Sequence, residues 1–211
     1  MTEKASVQDK LIQRVRTRAG KGRRVFVPRD FLDLGSRDAV DQALSRLARA
    51  GTIRRLRRGV YDYPKTHPRL GPLTPSAHEI ASAIARSTGH AIQVSGAHAA
   101  NALGLSSQVP AQTVYLTDGT SRIVKVGNRT ITFRHSNQLA GAVTTVGTII
   151  QALRYIGRGS EIADDVTEKI RAGLSDSQLR SLRKHMGDVS QRVARELQRL
   201  VRLPRFGGQV D

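Results

Sequence analysis

The chain has 211 residues and a mass of 23.1 kDa, with 35 Lys and Arg against 17 Asp and Glu, giving a formal charge of +18 and a pI near 11.5. Its length accommodates one large or two small domains, and 38% hydrophobic residues with 4% aromatics call for an aliphatic core. The lack of cysteine excludes disulfides, thiolate nucleophiles and sulfur-ligated metal sites, zinc fingers among them. No apolar run approaches the roughly 18 residues of a membrane span, and MTEKASVQDKL lacks the apolar stretch of a signal peptide. A soluble cytoplasmic protein with no membrane partner is expected.

Ser6 to Ala19 reads as a first helix capped by Ser6, with Val7, Leu11, Ile12 and Val15 at helical spacing, stopped by Gly20-Lys21-Gly22. Val25-Phe26-Val27 is a short strand, and Pro28 starts a second short helix. After Gly35, Ser36 caps a third helix whose apolar stripe is Val40, Ala43, Leu44 and Leu47, ended by Gly51. Ile53–Leu56 and Val60–Tyr63 flank Arg57-Arg58-Gly59 as a β-hairpin, although Ile53 and Leu56 differ in parity. Helix, strand, helix, turn, helix, hairpin is the winged helix-turn-helix order, whose third helix enters the major groove of DNA.

Four of the seven prolines fall within residues 64–75, which read as a linker between a winged helix at 1–63 and a second domain at 76–211. Beyond it come a helix over Ala77–Arg86, a strand at Ile92–Val94 and an Ala-rich helix over Ala97–Leu103. Thr113–Thr117, Arg122–Val126 and Thr130–Arg134 form a small antiparallel sheet, the last two strands joined at Gly127-Asn128. Four helices follow, over Val146–Tyr155, Ile162–Ala172, Ser175–His185 and Val189–Leu203. The fold class is α+β, with several helices toward the C-terminal end.

A charge of +18 repels itself unless it meets a polyanion or is spread over solvated surface, and it is densest before the linker. Residues through Pro72 hold 18 basic and 7 acidic side chains, a net of +11, against +7 for the remaining 139. On the third helix the face opposite the apolar stripe carries Arg37, Asp38, Asp41, Gln42, Ser45 and Arg49, with Arg46 beside it. Arginine can donate two hydrogen bonds to guanine and glutamine can pair with adenine, so Arg37 and Gln42 are the candidates for base readout. Arg54, Arg55, Arg57 and Arg58 on the hairpin, and Lys21, Arg23 and Arg24 before the first strand, suit phosphates. The plain alternative for each run is a solvated surface with ordinary ion pairs.

No catalytic or metal residues are expected, and no cofactor. His78-Glu79 lacks the second histidine of HExxH, Ser95, His98 and Asp118 lack a GxSxG elbow, and neither GxxxxGK[ST] nor GxGxxG occurs. Ser95 to Gly119 reads as a tightly packed small-residue helix and a loop into a strand, with partner recognition as the other option. Near the C-terminal end, Arg192, Arg195, Arg199 and Arg202 form a basic helical stripe, either solvated or a second DNA contact.

ALSRLARAGTIRRLRRGVYDYP, from Ala43 to Pro64, joined by prolines to SGAHAANALGLSSQVPAQTVYLTDG and a basic hairpin, resembles the AbiEi-type antitoxins of AbiE (type IV) toxin–antitoxin systems over roughly residues 6–157. The resemblance implies a repressor that binds inverted repeats in duplex DNA upstream of its own operon. It also implies an antitoxin region acting against a nucleotidyltransferase-like toxin, with no stable complex required. Carried onto this chain, the DNA residues are Ser36, Arg37, Gln42, Arg46, Arg54, Arg55, Arg57 and Arg58. The alternatives are a stand-alone ligand-responsive transcription factor and a basic RNA-binding protein.

Overall fold

Short polar side chains begin five helices of the computed structural model, which describes residues 6–108, 110, 112–137, 139, 144–158 and 162–202. Ser6, Ser36, Ser76, Thr144 and Ser175 each accept a hydrogen bond from the backbone N–H three residues on. Each such cap contributes about 1 kcal/mol by satisfying an amide that the helix leaves unpaired. Among the described residues the chain is a mixed α+β protein with eight α-helices and small antiparallel sheets. They fall into two compact units, one of residues up to His90 with Val124–Ile131, the other of Ala91–Ile123 and residues from Thr132 onward.

In the first unit, helix α1 (Val7–Gly20) is followed by strand β1 (Val25–Phe26), a 3₁₀ turn (Pro28–Phe31) and helix α2 (Arg37–Arg49). Strands β2 (Arg54–Arg57) and β3 (Val60–Asp62) then form a hairpin, and β3 takes the centre of the sheet β1-β3-β2. Gly59, at φ +73°, supplies the turn between them. Arg55 opposes Tyr61 while Arg57 opposes Val60, so Leu56 is the extra residue of a bulge. The parity mismatch of Ile53 and Leu56 arises before the strand, since Ile53 lies outside β2 and exposure alternates without a break from Arg54 to Arg57.

Leu11, Val15, Phe26, Phe31, Val40, Ala43, Leu44, Leu47, Ile53 and Tyr61 form this unit's core. The expected stripe on α2 is its buried face. The core is not purely aliphatic, since Phe26 and Phe31 pack with ring centroids 5.8 Å apart.

Two stretches take a different local structure from the one expected. The short helix at Pro28 is a single 3₁₀ turn, because the Val27 carbonyl accepts from the Asp30 N–H at 2.9 Å while the Asp30 carboxylate accepts from the Val27 N–H at 3.0 Å. This local bonding closes the turn within four residues. The expected linker instead contains strands β4 (Lys65–His67) and β5 (Gly71–Leu73), paired antiparallel as a ribbon. Helix α3 (Ala77–Thr88), expected in the second domain, belongs to the first unit. Its Arg86 donates to Asp30 at 2.9 and 3.2 Å and to the Val25 carbonyl at 2.9 Å. The first unit therefore runs past residue 63 to His90.

The second unit contains β6 (Ile92–Val94), α4 (Gly96–Ala102) and β7 (Thr113–Thr117). Strands β6 and β7 belong to a four-stranded sheet of order β6-β7-β9-β8, completed by β8 (Arg122–Val126) and β9 (Arg129–His135), of which Val124–Ile131 group with the first unit. Helices α5 (Thr145–Ile156), α6 (Asp164–Ala172), α7 (Asp176–Lys184) and α8 (Gln191–Arg202) complete the second unit. The last helix was expected to reach Leu203, which lies outside the described residues, as do parts of the stretches 95–119 and 159–211.

Val146, Ile149, Ile150, Leu153, Leu182, Val193, Leu197 and Leu200 anchor an aliphatic core. The Ala-rich helix packs as expected: Ala99, Ala100 and Ala152 are fully buried, and a Cβ on Gly96 would lie 2.6 Å from that of Tyr155. Asn101 fastens the following loop by donating to the carbonyls of Ser106 and Gln108 at 3.1 and 3.3 Å. Inside the unit, the buried amide of Gln151 on α5 donates to that of Gln93 on β6 at 2.9 Å.

Candidate nucleic-acid interface

Helix α2 buries Val40, Ala43, Leu44 and Leu47 and so turns its other side outward. Asp38, Gln42, Arg46 and Arg49 are exposed there. The Ser36 hydroxyl is occupied as the helix cap, accepting from the Ala39 N–H at 3.3 Å. Arg37 donates to Asp41 one turn on at 2.8 Å, with side chains 61% and 45% exposed. At that exposure the pair contributes only a few tenths of a kcal/mol and can open for a better acceptor. Arg49 lies 3.3 Å from the Ser45 hydroxyl. Gln42 and Arg46 make no ion pair or side-chain hydrogen bond with any described residue.

On the β2–β3 hairpin the strand period divides the arginine run. Arg55 and Arg57 alternate outward and Arg58 is exposed beside Gly59. Arg54 points the other way and donates to both oxygens of Asp62, at 3.0 and 2.5 Å, and to the Leu73 carbonyl at 2.8 Å. Asp62 is fully buried, so Arg54 is the counterion of a buried carboxylate. These bonds, with the charge of Asp62, hold the Arg54 pKa above its ordinary value against partial burial.

The cluster before the first strand divides in the same way. Lys21 and Arg23 are exposed, whereas Arg24 is largely buried and donates to Glu79 at 3.2 Å. Burial alone would raise the Glu79 carboxyl, but bonds from Ser76 and Arg24 outweigh it and hold the pKa below its usual range. Arg54 and Arg24, expected to face phosphate, are thus structural. Both partners lie far enough along the chain, at positions 62 and 79, that local spacing does not reveal them.

Two cations of the same unit escaped the sequence reading: Lys65 and Arg69, both exposed on the β4–β5 ribbon. Prolines disguised the ribbon as a linker. The available signal was His67-Pro68-Arg69-Leu70-Gly71, a turn composition between two short polar runs.

The remaining candidates behave differently. His98 Nδ1 lies 3.3 Å from the Ser95 hydroxyl, and burial lowers its pKa. The third residue of that trio, Asp118, accepts the Ala91 backbone N–H at 2.9 Å. Along α8, Arg199 donates to Glu196 at 2.7 Å, to the Ile162 carbonyl at 3.0 Å and to Asp164. Arg195 and Arg202 are exposed. Among the described residues there is no cluster of three or more acidic or histidine side chains able to hold a metal ion. Nor, among them, is any helix long and apolar enough to cross a membrane.

The chain belongs to DUF6088, a family of unknown function, whose sequence pattern matches residues 10–182. No curated protein matches it. The match takes in α2, the β2–β3 hairpin and the β4–β5 ribbon, and ends within α7, before α8 and its arginines.

Proposed function

We propose that this protein is a sequence-specific duplex-DNA-binding repressor of its own operon, with an N-terminal winged helix-turn-helix, and that it acts as the antitoxin of an AbiE-like pair. In this reading α2 is the recognition helix and the β2–β3 hairpin the wing. The short 3₁₀ turn stands where such domains place their second helix. The observation that carries the reading is the exposed set on one small unit: Gln42 and Arg46 on α2 with Arg55, Arg57 and Arg58 on the hairpin. Gln42 and Arg46 would read base edges, and Arg37 could join them by leaving Asp41. The hairpin arginines, with Lys21 and Arg23, would neutralise phosphates and supply affinity without sequence information.

The test is footprinting of the purified protein on the DNA upstream of its own gene, at physiological salt with excess nonspecific competitor. Under those conditions electrostatic binding alone fades and sequence readout remains. A protected inverted repeat is expected, and growth rescue on co-expression with the neighbouring gene would extend the result to antitoxin action. Equal binding to any duplex, or preference for structured RNA, would overturn the repressor reading.

A further inference from the structure

The β4–β5 ribbon has no buried face. Lys65, Thr66, His67, Pro68, Arg69, Leu70 and Pro72 are all exposed, and Gly71 and Leu73 are only half-buried. An isolated two-stranded ribbon is marginal in water, so this one must be held by other means. His67 closes the turn, its Nδ1 accepting from the N–H groups of Arg69 and Leu70 at 3.2 and 3.3 Å. Pro68 in the turn and Pro72 on β5 remove backbone freedom, the latter tolerated because β5 is an edge strand. Gly71, at φ +67°, adopts the left-handed conformation that leads back into β5. At the base, Arg54 joins the Leu73 carbonyl on β5 to Asp62 on β3, fixing the ribbon to the neighbouring hairpin.

All this rigidity presents a tip of Pro68, Arg69 and Leu70, and Leu70 is 73% exposed, more than any other large hydrophobic among the described residues. One exposed leucine is ordinary on a protein surface. An apolar side chain beside an arginine at the apex of a stiff cationic arm is the arrangement by which proteins enter the minor groove, unstack a base step and kink the duplex. Arginine suits that groove because its negative potential is enhanced where it is narrow.

We infer that the β4–β5 ribbon is a second DNA-contacting arm: Arg69 enters the minor groove, Leu70 wedges into a base step and bends the duplex, and Lys65 meets a phosphate. The inference rests on the DNA-binding reading above and adds a bend to it.

The test is energy transfer between dyes at the two ends of a mixed-sequence duplex of about 40 base pairs, titrated with the full chain at roughly 50 mM salt. Wild type should draw the ends together by a kink of about 20–90°. Leu70→Ala should bind within about threefold of wild type yet lose most of that bend. Arg69→Ala should bind about three- to tenfold more weakly and flatten the salt slope by about one unit. Leu32→Ala, at an exposed leucine off the ribbon, should change neither. Unaltered melting curves would show that the variants fold.

Binding by wild type with no bend, or a bend equal in Leu70→Ala, would overturn the wedge and leave the DNA-binding reading standing. No binding to this duplex or to the upstream DNA would sink both. If Leu70→Ala left the DNA geometry intact but abolished protection from the neighbouring toxin, the ribbon would be a protein-docking element and the inference wrong.

Discussion

The β2–β3 hairpin and helix α8 both present arginines at short intervals, yet they dispose of the charge differently. On the hairpin, one arginine of four is consumed by Asp62, and Arg55, Arg57 and Arg58 face solvent. On α8, Arg199 is engaged by Glu196, Asp164 and the Ile162 carbonyl, leaving Arg195 and Arg202 exposed together on the side opposite the buried Val193, Leu197 and Leu200. A basic run is therefore a sum of counterions already committed and cations still available. What sorts them is the presence of a carboxylate within reach and the face to which the period of helix or strand assigns each side chain.

The sharpest way to break this comparison is to exchange neighbours on β2. Arg54→Ala leaves Asp62 buried and unpaired and should cost about 3–5 kcal/mol in urea unfolding. Arg55→Ala, one residue away, should stay within about 0.5 kcal/mol. Equal losses would erase the distinction between counterion and free cation. On α8, Arg199→Ala strands the buried Glu196 and should cost about 2 kcal/mol of thermal stability, with Arg195→Ala nearly silent.

Binding measurements sharpen the comparison further. Gln42→Ala should lose about 1–2 kcal/mol on the protected site and relax one base position, seen by competition with singly substituted duplexes. Arg57→Ala should weaken all duplexes alike and reduce the slope of log affinity against log salt by about one.

The smallest effect concerns acid. Because the folded state holds the Glu79 carboxyl below its ordinary value, its stabilisation is complete above the usual glutamate range and is lost as pH falls through the lowered value. Glu79→Gln should flatten the acid limb of a stability–pH curve by this one group. An unchanged limb would show that Arg24 finds no benefit from the charge.

Much of the fold was readable because its determinants are local. Ser36 and the stripe of Val40, Ala43, Leu44 and Leu47 specify α2 within a dozen residues, and Ser175 with Gln178 specifies the start of α7. The strands Ile92–Val94, Thr113–Thr117 and Arg122–Val126 were legible from β-branched composition and turn glycines. The roles of individual arginines were less so, since nothing near Arg24 in sequence announces Glu79 and the Arg54–Asp62 pair exists only once the hairpin has closed. The ribbon was hidden by its own prolines, which mark a break in most strands and a stiffener in an edge. The grouping of α3 with the first unit was hidden for a related reason, because Arg86 and Glu79 tie it there across more than fifty residues.

The amide pair of Gln93 and Gln151 has a consequence for register in the second unit. Val94 of β6 packs with Ala152, Tyr155 and Ile156 of α5, and apolar contacts of this kind are not directional. A slipped α5 would carry its amide about 5.4 Å from its mate and break the bond between them. The pair thus acts as a register mark: apolar packing alone does not specify how far along β6 the helix sits, whereas the amide-to-amide bond forms at one position.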